Sequence, residues 1–169
     1  IGLTKQLVAS MAHMAVKPEL LISGSAIGYY GDQGDTVLTE QSATHKDFSE
    51  QLCTDWENEA KKAEQLGVRV CLIRTGLVLA EGGGLLKRML LPFRLGLGGR
   101  LGDGQQWMSW IHRQDWIAIA RLMITDSSMQ GAYNATAPNP VTNSEFTRTL
   151  AHCLNRPALL PVPAWLLKI

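Results

Sequence analysis

Residues 20–31 read Leu-Leu-Ile-Ser-Gly-Ser-Ala-Ile-Gly-Tyr-Tyr-Gly. The apolar start predicts a buried strand over Glu19–Ser23, and Ser23-Gly24-Ser25 predicts where it stops. In an open α/β sheet, ligands bind outside the carboxyl ends of the parallel strands. Small hydroxyl side chains at such an end let a ligand approach closely and offer it hydrogen bonds. The stretch therefore reads either as the floor of a cleft or as a strand leading into a glycine-rich turn.

The flanking pattern decides the class. An amphipathic helix is predicted from the first residues to about Val16, where Lys17-Pro18 ends it. Gly28–Glu40 is predicted as loop. From Asp47 to Leu66 the residues Phe48, Leu52, Trp56 and Ala60 recur every fourth position, and Gly67 stands where a helix would be capped. Val68–Thr75 (VRVCLIRT) is apolar enough for a strand buried on both faces. Helix, strand, helix, strand is the order of βαβ units with a parallel sheet.

Beyond Gly76 the texture changes. Gly82-Gly83-Gly84 precedes an apolar helix over Leu85–Leu95, followed by the glycine-rich stretch Gly96–Gly104, which reads as a lid. Trp107–His112 is predicted as a short strand, Gln114–Thr125 as a helix capped by Asp115, and Ala132–Ala135 as another strand. Thr142, with Glu145 three residues on, predicts a helix start, running to about Leu154. A further helix is expected from Pro163 to Ile169. The expected organisation is a Rossmann-like half over 1–80 and a mainly substrate-binding portion over 81–169, with 105–126 returning to the sheet.

Composition sets bounds. The 169 residues suffice for a packed core, with 46% hydrophobic and 18% charged residues. A net charge of +1 gives no electrostatic reason to expect nucleic acid or an anionic membrane. No apolar run approaches the ~20 residues of a spanning helix. No signal peptide is legible. The three cysteines, Cys53, Cys71 and Cys153, are widely spaced. They suggest neither a disulfide framework nor a metal site, and they fit a reducing, cytoplasmic setting.

Four segments, in order, carry a family resemblance: SGSAIGYYG (residues 23–31), RTGLVLAEGGG (74–84), WIHRQDWIAIARLM (110–123) and GAYNATAPNPVTNSEF (131–146). They resemble the extended short-chain dehydrogenase/reductase superfamily in its NAD-dependent epimerase/dehydratase branch. SAIGYYGD, LCTDWENEA and PVPAWLLK are similar to its YfcH-type subfamily, described as nucleotide-sugar epimerases of unproven substrate. Some plastid and cyanobacterial relatives carry a cell-division-inhibitor label. The resemblance implies about a hundred residues ahead of Ile1, holding the first βαβ unit and its glycine-rich fingerprint, and a short domain after Ile169.

The resemblance also implies roles. Superfamily chemistry uses a Ser to hold the substrate oxygen and a Tyr to exchange a proton. A Lys four residues after the Tyr shares its helix face and tunes it. Here that register falls on Cys53 and Glu57, and a carboxylate beside a thiol raises the thiol pKa. Cys53 is thus either a packed helix residue or a weak proton donor. The catalytic candidates are Ser25, Tyr30, Cys53 and Glu57. For NADP or NAD the candidates are Ser23, Gly24, Arg74, Thr75, Gly76 and Leu77, with Gly76 admitting close backbone approach. Arg74 reads either as a phosphate ligand or as a cap on the sheet. Tyr29, Arg88, Arg100 and His112 are candidates for a small-molecule, nucleotide-sugar-like substrate. Two functions stay open: an epimerase or oxidoreductase, and a dinucleotide-binding regulator without turnover. A purely structural role ranks behind both.

Overall fold

The computed structural model describes residues 1–163. The helix expected from Pro163 to Ile169 lies outside them, apart from Pro163 itself. The chain divides into two units, residues 1–75 with 116–135, and residues 76–115 with 136–169. The division falls at Gly76 and not after residue 80. The stretch that returns to the first unit is 116–135, not 105–126.

The first unit is built on three parallel strands in the order β1 (Leu20–Ala26), β2 (Arg69–Thr75), β6 (Gly131–Ala135). Helix α1 (Gly2–Ala12) ends four residues short of Val16. Its Val8 and Met11 pack with Leu21, Val70 and Leu72 and with Ala60, Ala63 and Val68 in one apolar core. Helix α2 (Phe48–Lys61) starts where Asp47 accepts the Glu50 N–H at 2.7 Å, a side-chain cap for an otherwise unpaired donor. It tightens into a 3₁₀ segment over Lys62–Leu66, closed by Gly67.

The face of α2 differs from the expected one. Phe48 is 82% exposed and Leu52 is exposed as well, while Glu50, Cys53, Glu57 and Ala60 are buried. The spacing of three and four residues is helical, but the buried stripe is polar at its centre. Burying a carboxylate there requires a partner. The loop expected over Gly28–Glu40 begins as a 3₁₀ turn, Ile27–Tyr30.

The second unit contains β3 (Leu77–Leu79) paired in parallel with β5 (Trp110–His112), and β4 (Trp107–Met108) paired antiparallel with β7 (Val141–Thr142). The single strand expected over Trp107–His112 is thus two, broken at Ser109. Helix α3 is Gly84–Arg94. Helix α4 (Arg113–Thr125) passes from the second unit to the first at Trp116. Asp115 sits inside its first turn; the His112 Nδ1 accepts the Gln114 N–H at 3.2 Å. Helix α5 (Asn143–Cys153) is capped by Thr142, whose Oγ1 accepts the Glu145 N–H.

Gly96–Gly104 is not a free lid. Leu101 bridges to Val162, and its N–H donates to Asn143 Oδ1 at 2.8 Å. A Cβ on Gly99 would run into the Leu160 carbonyl. Only glycine allows that approach of two backbones.

Candidate active site

Strand register places the site. Ser25 pairs with Arg74, and Arg74 with Asn134. The three side chains form one row across the carboxyl end of the sheet, because in-register residues of neighbouring strands share a face. Leu21, Val70 and Leu72 lie on the same face one or two pairs back, so the row continues the core toward α2.

Helix α2 delivers Glu57 into this row. Its carboxylate takes a forked pair of bonds from Arg74, Nε to Oε1 and Nη2 to Oε2, each 2.9 Å. Ser25 Oγ donates to Glu57 Oε1 at 2.7 Å. Arg74 Nη1 donates to the Tyr30 hydroxyl at 3.0 Å and to the Glu40 carbonyl at 3.3 Å. The Tyr30 hydroxyl donates to Asn134 Oδ1 at 2.6 Å, and the Asn134 N–H donates to Glu40 Oε1. Glu57 is 1% and Arg74 3% exposed. Burial alone would lower the arginine pKa, yet the bonds to Glu57 and Tyr30 outweigh it and hold the pKa above its ordinary value.

Two phenols flank the pair and differ in state. Tyr30 is 3% exposed, with its hydroxyl engaged as both donor and acceptor. Tyr29 is half-buried. Its ring lies 3.4 Å from the Arg74 guanidinium carbon and edge-on to Tyr30, a cation–π seat. Among the described residues no hydrogen bond ties the Tyr29 hydroxyl.

Cys53 is buried one turn before Glu57. Burial raises its pKa most; a hydrogen bond with the Ala26 backbone opposes it, the Glu57 charge raises it further, and Ser25 and Arg74 oppose it more weakly. The thiol therefore stays protonated at neutral pH.

The structure brings Ser25, Tyr29, Tyr30, Cys53, Glu57 and Arg74 together in the first unit. Tyr30, read from the sequence as a catalytic phenol, is buried with its hydroxyl bonded to Asn134 and Arg74. Arg74, read as a possible phosphate ligand, uses four of its five N–H donors inside the protein. Ser23 is buried, its hydroxyl donating to the Gly24 carbonyl. Thr75 Oγ1 accepts from Trp116 Nε1 at 3.0 Å. Gly76 has a packing reason of its own, since a Cβ there would strike the Ser109 carbonyl and the Thr136 methyl. The Leu77 N–H donates to Ser109 O. Arg88, Arg100 and His112 lie in the second unit and are exposed. Asn134 and Glu40 were not singled out. Asn134 lay within a recognised motif, and strand register alone reveals it; nothing local marked Glu40.

Residues 1–136 match the NAD dependent epimerase/dehydratase family. The chain belongs to that family. This epimerase-family chain is 44% identical over 161 residues to epimerase family protein Mb2239 of Mycobacterium bovis, covering 95% of the chain and 53% of the relative. It is 44% identical over 152 residues to the chloroplastic SDR39U1 homolog of Arabidopsis thaliana, covering 90% and 44%. It thus spans about half the length of the curated relatives it matches. The crystal structure of human SDR39U1 (isoform 2) with NADPH superimposes with a TM-score of 0.91 at 32% identity, over 99% of this chain and 57% of that one. A nucleoside-diphosphate sugar epimerase from Corynebacterium glutamicum gives 0.80 at 39% identity, over 98% and 36%. The parallel sheet is accordingly the Rossmann-like sheet of an extended short-chain dehydrogenase/reductase. Among the described residues no helix is long and apolar enough to cross a membrane, and no cluster of potential metal ligands occurs.

Proposed function

We propose that the full-length protein binds NADP(H) or NAD(H) and uses it to oxidise and reduce a hydroxyl or carbonyl carbon of a small sugar-like substrate, nucleotide-linked sugars included. The observation that carries this reading is the polar row Ser25–Arg74–Asn134. It lies across the carboxyl ends of parallel strands, where such sheets bind ligands. The family, the NADPH in the human relative's structure and the name of the Corynebacterium protein support it.

The residues present suit a nicotinamide ring. Gly24 is exposed, and Ala26 and Thr75 are half-buried, so the strand tips carry only small groups toward a flat heterocycle. Bound there, the dinucleotide supplies the hydride. Tyr29 would exchange the hydroxyl proton, its ring held by Arg74. Ser25 and Glu57 would fix Arg74 and so position Tyr29. Cys53 and Glu57 carry no proton transfer in this scheme, because the thiol is held protonated and the carboxylate is neutralised by its fork.

A second reading has a specific observation behind it. A buried Arg–Glu pair stands where the superfamily keeps a lysine, so no ammonium serves the phenol. Binding without turnover, as a regulator, follows if Tyr29 alone is insufficient. Both are tested by titrating the full-length protein with NADPH and NADH, then following isotopic hydride exchange on a panel of carbonyls and nucleotide sugars. Exchange supports the enzyme, and binding without exchange supports the regulator. Absence of binding overturns both.

A further inference from the structure

The polar row of the first unit is closed by a residue from the segment between Tyr30 and α2. Arg74 Nη1 donates to the Tyr30 hydroxyl and to Glu40 O. The Tyr30 hydroxyl donates to Asn134 Oδ1, and the Asn134 N–H donates to Glu40 Oε1 at 2.8 Å. Arg74, Tyr30, Asn134 and Glu40 thus make a closed ring, each bonded to the next. We infer that Glu40 is a positioning residue for the proposed proton transfer: its carboxylate, anchored on Asn134, holds its own carbonyl against Arg74 and so keeps the guanidinium seated against the Tyr29 ring. The inference rests on the reading of Tyr29 as the proton carrier.

The guanidinium is gripped along two edges. The Glu57 fork takes Nε and Nη2, and Nη1 is shared between Tyr30 and Glu40. Arg74 is 3% exposed, so a donor that lost Glu40 would find little water in its place. The Tyr29 ring lies 3.4 Å from the guanidinium carbon, and whatever tilts that plane also tilts the phenol seated on it. The carboxylate end of Glu40 acts on a strand edge. Strand β6 ends the sheet order β1, β2, β6, and a charged acceptor on its Asn134 N–H makes a stronger bond than a neutral one. Glu40 thereby does with a side chain what a further strand would do with a carbonyl.

The chain around Glu40 delivers it to this place. Tyr30 O accepts the His45 N–H at 2.8 Å and Gln33 Nε2 at 3.0 Å, and Gln33 Nε2 also donates to Ala43 O. Gly31 has a φ of 67°, and a Cβ there would run into the His45 carbonyl. Glycine is needed for that close return of the chain. The Thr39 N–H donates to Ser42 Oγ at 2.8 Å, which fixes the turn beside Glu40. Val37 is exposed, so polar bonds, those of Glu40 among them, tie this segment to the strand ends.

Full-length wild type, Glu40→Ala, Glu40→Asp and Glu40→Gln are compared in two measurements. The first is hydrogen–deuterium exchange resolved at the Asn134 amide, which needs no turnover. Glu40→Ala, and Glu40→Asp with its shorter arm, should speed that exchange roughly tenfold. Glu40→Gln keeps an acceptor at the same reach and should stay near wild type. The second is hydride exchange at saturating NADPH, well below the melting temperature. Glu40→Ala and Glu40→Asp should lower kcat roughly tenfold with KM for NADPH kept, and Glu40→Gln should restore most of it. If Glu40→Ala does not fold, Glu40→Asp carries the same expectation. Overturning results are unchanged Asn134 exchange, unchanged kcat in Glu40→Ala and Glu40→Asp, or a loss just as large in Glu40→Gln. Wild type without hydride exchange would overturn the proposed function and with it the catalytic part of Glu40, while the amide measurement decides the clamp separately.

Discussion

Glu57 sits almost wholly out of water and is tolerated because a guanidinium meets both of its oxygens. A buried pair of this kind adds little net stability over an apolar pair, but breaking it leaves an uncompensated charge. Glu57→Gln should therefore destabilise the full-length protein by about 3–5 kcal/mol, measured by urea denaturation. Glu57→Leu/Arg74→Leu should recover much of that loss; additive losses would show the two residues to be uncoupled. Cys53 gives a second test. Its pKa lies above the ordinary 9.0, so the unfolded chain loses this proton first. The contribution is fully present below the unfolded value and is lost only as pH rises through the folded one. At pH 7–8 native Cys53 and Cys71 should resist alkylation and label only after denaturation, read by peptide mass mapping. Rapid native labelling of Cys53 would show an accessible thiol.

Among the elements, α2 separates what the sequence displayed from what it concealed. Its existence and its span from Asp47 were legible from periodicity and the Gly67 cap, and the parallel order of its flanking strands from the alternation of helix and strand. Its buried face was not. Phe48 and Leu52 looked like core by hydrophobicity, while the helix turns Glu50, Cys53 and Glu57 inward because Arg74 awaits Glu57. That partner comes from a strand 17 residues away, and no local rule links them. The same holds for Tyr30, whose partner Asn134 is 104 residues distant. Tyr30→Phe should cost about 1–3 kcal/mol, since it strips a hydrogen bond from buried Arg74 and another from Asn134. An unchanged denaturation midpoint would mean that those bonds do not hold the strand tips. Gly96–Gly104 was misread because glycine richness suggests freedom, whereas Gly99 is glycine for contact. Gly99→Ala should lower the melting temperature markedly, and a neutral result would contradict the close approach to Leu160.

At the scale of the whole molecule, the chain spans about half the length of its curated relatives, and the proposed nicotinamide chemistry is assigned to the longer protein. What these residues contribute is a sheet end braced by a buried ion pair, with Tyr30 locked and Tyr29 open. The most direct test is hydride exchange by full-length wild type, Tyr29→Phe and Cys53→Ala, each at saturating NADPH. Tyr29→Phe should lose about 10²-fold or more in kcat with NADPH affinity kept, and Cys53→Ala should exchange at near the wild-type rate. Exchange that survives Tyr29→Phe but collapses in Cys53→Ala would contradict Tyr29 as the proton carrier.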